Sequence, residues 1–242
     1  MEEKKKKGLN TSSNSYTIIY SVVIVVIVAF LLAFVSSSLK SQQDENVALD
    51  KKKQILASLN IRDIDGAEAT DTYNKVITAD KIIDRNGNEV EPGKQGGTEA
   101  GFKCNSASTK EGKLALYVCN VNGETKYVIP VYGMGLWGGI SGYIAVNADK
   151  QTVYGAYFNH EGETAGLGAE IKDSRVWQDQ FKGKHLFAAG KQGIALSVVK
   201  KNEVSDPSTQ CDAVTGATLT SNGVSDMLHT CLSDYIKFLT SK

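Results

Sequence analysis

Residues 114–159, LALYVCNVNGETKYVIPVYGMGLWGGISGYIAVNADKQTVYGAYFN, carry the pattern that decides the fold. Four runs in this stretch are rich in β-branched and aromatic residues, and short groups of turn residues separate them. The runs are Leu114–Val121, Lys126–Tyr132, Ile140–Val146 and Thr152–Asn159. Runs of this length and composition, joined by short turns, predict an antiparallel meander of β-strands.

Helical patterns lie on both sides of the meander. Ser221–Leu239 places apolar residues on one face, and Thr220 or Ser221 is suited to cap its N-terminus. Val47–Ile61 has apolar positions opposite a lysine-rich side, which predicts another helix. Weaker signals predict a short helix at Trp177–Gln180 and strands at Lys81–Ile83 and Gly193–Val199. We therefore predict an α+β domain with helices flanking an antiparallel sheet.

A long uncharged stretch precedes this domain. No charged residue occurs from Gly8 to Leu39, and 14 of the 19 residues of Thr17–Val35 are Ile, Val, Leu or Phe. A helix of that length extends about 28 Å, which is enough to cross the hydrocarbon core of a bilayer. Because the stretch is longer than the apolar core of a signal peptide, we expect an uncleaved anchor rather than a cleaved signal.

The charges beside the anchor predict its orientation. Lys4–Lys7 precede it, whereas Lys40 is followed by Asp44 and Glu45. The positive-inside rule then puts the N-terminus in the cytoplasm and the chain after Leu39 outside it, on the periplasmic side of the inner (cytoplasmic) membrane. The predicted divisions are a cytoplasmic tail (1–16), a transmembrane helix (17–35), a membrane-proximal helix with a connecting region (36–100) and an outer domain (101–242).

Composition excludes several classes of protein. The chain has 27 basic and 27 acidic residues, without the basic excess of a nucleic-acid binder, and the apolar span excludes an ordinary cytosolic enzyme. Its histidines are isolated from one another, so no metal site is expected. Cys104 and Cys119 could face each other across paired strands, and Cys211 could pair with Cys231. Four cysteines allow three connectivities and the sequence does not choose among them, so disulfides and buried free thiols both stay open.

The segment Asp212–Ser221, DAVTGATLTS, comes directly before the predicted C-terminal helix. Gly216 and Ala217 leave the backbone uncrowded, and the hydroxyls of Thr215 and Thr218 flank them. The free N–H groups and the positive dipole end of a helix N-terminus bind phosphate. The same residue types also form an ordinary helix-start loop, so the physics alone leaves both interpretations open.

The pattern Asp-x-x-Thr-Gly-Ala-Thr at 212–218 resembles the acceptor motif of the FMN-binding domain family. In that family the phosphate of FMN is joined to a threonine hydroxyl, so the resemblance implies a covalent phosphoester between FMN and Thr218. It also implies that Asp212 assists a flavin transferase during maturation. The other implied cofactor-binding residues of this segment are Thr215, Gly216, Ala217 and Thr220.

The segment His160–Ile171, HEGETAGLGAEI, resembles the His-x-Glu-Thr-Pro-Gly-Leu-Gly pattern of the same family, with Ala165 at the usual proline and an additional Glu161. The resemblance implies that a loop of small residues approaches the flavin ring and that Glu163 and Thr164 hydrogen-bond the ring edges. Leu167 and Gly168 complete the match.

The segment Val131–Gly142, VYGMGLWGGISG, formally contains a dinucleotide fingerprint of three glycines. A strand rather than a helix is predicted to follow, so the context for NAD binding is absent. The segment resembles the family's Tyr-Gly-x-Gly-Leu-Trp pattern, which implies that Leu136 and Trp137 form a wall of the flavin site; simple core packing is the alternative. By the same resemblance Lys200 approaches the flavin or its phosphate, unless it is an ordinary solvated lysine.

The order and spacing of these motifs over residues 110–240, together with one N-terminal anchor, resemble the C-subunit family of sodium-translocating NADH:quinone reductases. The resemblance implies an electron relay through FMN inside a six-subunit membrane complex that reduces ubiquinone or menaquinone and exports sodium. No side chain is then catalytic, because the cofactor carries the redox chemistry. Two alternatives stay open: the G-type FMN subunit of an Rnf ferredoxin:NAD electron-transport complex, and a cofactor-free membrane-anchored binding module.

Overall fold

A computed structural model describes residues 11, 13–190 and 192–241. The chain separates into two compact units, with the boundary between Ala48 and Leu49. The first helix, α1 (Asn14–Ser58), contains the whole predicted span and is long and apolar enough to cross a membrane, by length and composition. The large apolar side chains from Ile18 to Val35 are exposed on all sides of this helix, as a lipid-facing segment requires.

The helix predicted at Val47–Ile61 is the C-terminal part of α1, which ends at Ser58. Asn60 takes a left-handed conformation with φ of 63°, a conformation that Asn tolerates and that commonly follows a helix. Its side-chain amide donates to the carbonyl oxygen of Tyr154 at 3.0 Å. The last turn of α1 is therefore fixed to the second unit, to which it belongs.

The second unit is built on a six-stranded antiparallel sheet, which confirms the predicted meander. Its strands are β1 (Ile77–Ile83), β2 (Glu89–Glu91), β3 (Leu114–Val121), β4 (Glu124–Met134), β5 (Gly139–Asn147) and β6 (Val153–His160), in the order β2-β1-β3-β4-β5-β6. The strand predicted at Lys81–Ile83 is the end of β1. β4 and β5 extend further than predicted and bring the glycine-rich segment between them to one end of the sheet.

The helices of this unit after α1 are α2 (Gly66–Val76), α3 (Ser106–Lys110), α4 (Glu170–Asp173), α5 (Arg175–Asp179), α6 (Thr218–Asp234) and α7 (Ile236–Thr240). The short helix predicted at Trp177–Gln180 corresponds to α5. The strand predicted at Gly193–Val199 is reduced to β7 (Ser197–Val199), which pairs in parallel with β8 (Gln210–Asp212) apart from the main sheet.

The core forms between the sheet and α6, which packs along β4. Buried residues of the helix meet buried residues of the strands there, including Val224, Met227, Leu228 and Cys231 from α6, and Ile129, Val131 and Ile144 from β4 and β5. Gly133 permits the close approach, because a methyl group added to it would lie 2.6 Å from Cβ of Met227. This packing fixes the N-terminus of α6 beside the β4–β5 turn.

The prediction of one helix from Ser221 to Leu239 with a Thr220 or Ser221 cap is wrong at both ends. α6 starts at Thr218 and Ala217 is its N-cap, so Thr220 and Ser221 lie inside the first turn and are buried. The helix stops at Asp234, and α7 follows after Tyr235. The hydroxyl of the buried Tyr235 donates to the carbonyl oxygen of Ala115 at 2.8 Å, a tertiary bond that fixes the break.

All four cysteines are buried free thiols. Cys119 on β3 is opposite Ile77 of β1 and Lys126 of β4, so the predicted facing of Cys104 and Cys119 across paired strands is wrong. Burial raises the pKa of Cys211 to about 12. A buried thiol that stays protonated is a weak nucleophile and packs as a small apolar side chain.

Candidate functional site

Three segments predicted from separate motifs come together at one end of the sheet. These are the β4–β5 turn (135–138), the loop after β6 (161–169) and the turn before α6 (213–217). A methyl group added to Gly216 would lie 3.3 Å from the carbonyl oxygen of Gly166, and one added to Gly223 would lie 2.2 Å from that of Met134. Gly216 of the motif and Gly223 of α6 thus allow close backbone approaches that a side chain would hinder.

Glu163 lies at the centre of the three segments and is only 6% exposed. Its Oε1 accepts a hydrogen bond from the backbone N–H of Trp137 at 2.9 Å, and its Oε2 accepts one from the Thr220 hydroxyl at 2.6 Å. Burial raises the pKa of Glu163, but the hydrogen bonds from Thr220 and from the backbone around Trp137 outweigh burial and hold the pKa below its ordinary value. The side chain is therefore an ionised carboxylate held by protein donors.

The turn before α6 presents its hydroxyls outward. Thr215 and Thr218 are exposed, Gly216 has a φ of 81°, and Ala217 is buried. Among the residues that the structure describes, no side chain caps the helix at Ala217. The first N–H groups of α6 therefore have no capping side chain among the described residues, and such groups at a helix N-terminus can receive an anion.

The segments that meet near this helix N-terminus carry exposed apolar side chains. Leu136 is 40% exposed, Trp137 67% and Leu167 46%. The core-packing alternative is therefore wrong for Leu136 and Trp137, and their role as a flavin wall stays a prediction. Thr164 is exposed next to them. Met134 and Leu219, which the motifs did not single out, are exposed at the same place; Leu219 directly follows Thr218 in sequence.

Asp212 and Lys200 lie to one side of these loops. Asp212 is on β8, where its carbonyl oxygen accepts from the Trp177 indole at 2.7 Å and its N–H donates to Gln180 at 2.9 Å. Lys200 is exposed, with its Nζ 3.6 Å from a Glu203 carboxylate oxygen. Lys201, which follows Lys200 in the chain, lines a cavity of about 360 Å³ beside Thr215, together with Asp212 and Glu170.

The loop after β6 is held by its own polar groups as well. The backbone N–H of Glu163 donates to Nδ1 of His160 at 3.1 Å, and that of Gly166 donates to a Glu170 carboxylate oxygen at 3.0 Å. The His160 ring therefore helps to hold the loop in place. In the part of the chain that the structure describes, no three His, Cys, Asp or Glu side chains form a group able to hold a metal ion.

The FMN-binding domain family model matches residues 135–233, which include the three segments and α6 except for its last residue. This part of the α+β unit is therefore similar to an FMN-binding domain. Two relatives are named as the C subunit of Na(+)-translocating NADH-quinone reductase: the Haemophilus ducreyi protein is 35% identical, covering 77% of each chain, and the Vibrio campbellii protein is 30% identical, covering 81% of this chain and 82% of its own. The chain belongs to this C-subunit family.

Solved structures agree with the fold and with the family. The crystal structure of the C subunit of Na(+)-translocating NADH-quinone reductase from Parabacteroides distasonis is 40% identical with a TM-score of 0.76, covering 84% of this chain and 98% of its own. The Shewanella oneidensis NqrC structure, at 23% identity and a TM-score of 0.64, supports the fold. Of the alternatives left open by the sequence, the C-subunit family is therefore the one that the relatives support.

Proposed function

We propose that this chain carries FMN joined by a phosphoester to the Thr218 hydroxyl and relays electrons between the other membrane subunits of a six-subunit, sodium-translocating NADH:quinone reductase. The observation that carries the proposal is the exposed Thr218 hydroxyl at a helix N-terminus that no side chain of the described residues caps. The FMN ring supplies the electron chemistry when it is bound, and the protein supplies attachment, orientation and electrostatics.

The helix N-terminus suits the product of attachment. A phosphodiester on Thr218 bears one negative charge at the N-terminus of α6, whose first N–H groups lack a capping side chain among the described residues. A helix N-terminus stabilises such a charge by about 0.3–1 kcal/mol at an exposed site. Thr215, Gly216, Ala217 and Thr220 shape the turn that presents the hydroxyl, and the positive φ of Gly216 explains the need for glycine there.

The exposed apolar side chains suit the flat ring. Leu136, Trp137 and Leu167 offer apolar surface close to Thr218, and a bound ring would cover surface that is otherwise unfavourable to expose. Thr164 is free to hydrogen-bond a ring edge. Gly168 leaves room for the Thr220 side chain, since a methyl group at Gly168 would lie 2.6 Å from the Thr220 hydroxyl oxygen.

Attachment requires an enzyme, and we assign that step to a flavin transferase acting on the Asp212–Thr218 segment. The cavity beside Thr215, with Asp212 and Lys201 in its lining, is accessible from outside the domain. Asp212 acts in maturation only, and Lys200 contributes positive charge near the phosphate. The domain itself lies outside the cytoplasm, anchored by the span at 17–35, and the divisions at residues 16, 35 and 100 remain as predicted from the sequence.

The attachment is tested by producing the full chain together with its flavin transferase. A denaturing gel under ultraviolet light and the intact mass report covalent FMN. Thr218→Ala is expected to lose both signals completely, because the acceptor oxygen is removed. Thr230→Ala, which removes an exposed hydroxyl on the same helix, is the matched control and keeps them. FMN retained by Thr218→Ala would move the attachment to Thr215 or Thr220, and wild-type chain without FMN would refute the proposal.

A further inference from the structure

We propose that Glu163 is the positioning residue of this site, and that its carboxylate sets the position of the Trp137 turn relative to the first turn of α6. One oxygen accepts from the Trp137 backbone and the other from Thr220, two residues after the attachment threonine. The consequence for the flavin rests on the proposed function, whereas the link itself exists without a cofactor.

The two donors compensate for the buried charge of the Glu163 carboxylate. Glu163 takes part in no ion pair found among the described residues, so the donors of two other segments compensate for the burial of its charge. A buried carboxylate without a cation is costly unless such donors are fixed in place. The folded site therefore has both donors in register with the two oxygens.

The surrounding glycines fit the carboxylate closely. A methyl group added to Gly135 would lie 2.4 Å from Oε1, and one added to Gly168 would lie 2.7 Å from Oε2. Two of the motif glycines thus make room for Glu163 itself. This role accounts for glycine at those positions independently of any contact with a ring.

The link joins segments that no other side-chain hydrogen bond found in the described residues connects directly. The Trp137 turn precedes β5, whereas Thr220 is in α6, and Glu163 bonds both while its own N–H is held by His160. Because both of its oxygens have protein partners, Glu163 acts through Trp137 and the first turn of α6 rather than at the ring edge. The orientation of a ring between them therefore depends on this side chain in addition to the packing of α6 on β4.

Substitutions can separate the link from the charge. In Glu163→Gln the amide oxygen can still accept from Trp137, and the amide nitrogen can donate to the Thr220 hydroxyl, which then turns its hydrogen to the Leu167 carbonyl 3.5 Å away. Glu163→Ala removes both hydrogen bonds, to the Trp137 backbone and to Thr220. Thr220→Val removes the hydrogen bond from Thr220 with little change in side-chain shape. Glu161→Ala is the matched control, because Glu161 is an exposed glutamate two residues before Glu163.

The test measures hydrogen exchange at the Trp137 amide and the visible circular dichroism of attached FMN, on the full chain. Glu163→Ala is expected to speed exchange about fivefold or more, because a donor loses its acceptor, and to reduce the flavin signal. In Glu163→Gln the exchange rate at Trp137 and the flavin signal are expected to stay closer to wild type than in Glu163→Ala. Glu161→Ala is expected to change neither quantity. Thr220→Val reduces the flavin signal while leaving Trp137 exchange near wild type.

The outcomes distinguish this inference from the proposed function. Wild-type exchange and flavin dichroism in Glu163→Ala would overturn the positioning role, as would a stable Glu163→Gln that behaves like Glu163→Ala. If Glu163→Ala does not fold, Thr220→Val decides, and an unchanged flavin signal in it overturns the role. Absence of FMN from the wild-type chain refutes the proposed function alone, since exchange at Trp137 in Glu163→Ala, compared with Glu163→Gln and the control, still tests the link.

Discussion

Glu163 shows how a residue's role depends on what its neighbours offer. Its motif implied a hydrogen bond to a ring edge, and the sequence gives no sign that a backbone N–H from residue 137 and a hydroxyl from residue 220 reach both oxygens. A buried carboxylate with two donors is satisfied without a ligand. The features of the sequence that come closest to indicating this role are Gly135 and Gly168, which leave the space that the carboxylate occupies.

The depressed pKa of Glu163 predicts how stability changes with pH. Although burial alone raises this pKa, the hydrogen bonds lower it below its value in the unfolded chain, about 4.3. The ionised form therefore contributes stability that is fully present above that value and is lost as the pH falls through the folded-state pKa. We expect the difference in melting temperature between wild type and Glu163→Gln to narrow as the solution is acidified below about pH 4.

Thermal melts of the two proteins across the acid range check this prediction. Glu161→Gln is the control, because it makes the same carboxylate-to-amide change at an exposed position of the same loop. A melting-temperature difference for Glu163→Gln that stays constant down to the acid limit would contradict the titration of Glu163 in this window.

At the scale of elements, local patterns predicted the sheet well and the helix ends badly. β3 has the predicted bounds, because its apolar run and the turn residues beside it are encoded locally in the sequence. The break at Tyr235 depends on a bond to Ala115, 120 residues away, and the start of α6 at Thr218 depends on the turn at Gly216. The site was predictable as a set of motifs, whereas its internal bonds join residues 26 and 57 positions apart and required the fold.

The packing of α6 on β4 gives a prediction at Gly223. Replacing a helical glycine with alanine ordinarily stabilises a helix by about 1 kcal/mol. Here the added methyl group would lie 2.2 Å from the Met134 carbonyl oxygen, so the helix must move away from the turn. Overpacking of this kind costs about 1–3 kcal/mol, and we expect a net loss of stability in Gly223→Ala.

Chemical denaturation measures the change, and Asn222→Ala is the matched control. Asn222 is exposed and precedes Gly223 in the same helix, so its replacement gains helix propensity without a collision and should be neutral or slightly stabilising. An equal effect of the two substitutions would show that α6 does not depend on close approach at Gly223.

For the whole molecule, the neutral total of 27 basic and 27 acidic residues averages two different units. The first is dominated by apolar side chains exposed around α1, which water would not tolerate and lipid would accept. The second has its own sheet, core and candidate site. An anchor of this kind keeps a flavin domain within a membrane assembly, and the lysines at 4–7 favour a cytoplasmic N-terminus.

Labelling of single introduced cysteines tests that orientation. The four native cysteines are buried thiols, so their background reaction with a membrane-impermeant maleimide is expected to be low. Ser106→Cys, at an exposed position of the domain, should be labelled in right-side-out membrane vesicles. Asn10→Cys, before the span, should react only after detergent is added, because the positive flank retains it inside. Reaction of Asn10→Cys in sealed vesicles, with Ser106→Cys protected, would reverse the orientation and put the flavin domain in the cytoplasm.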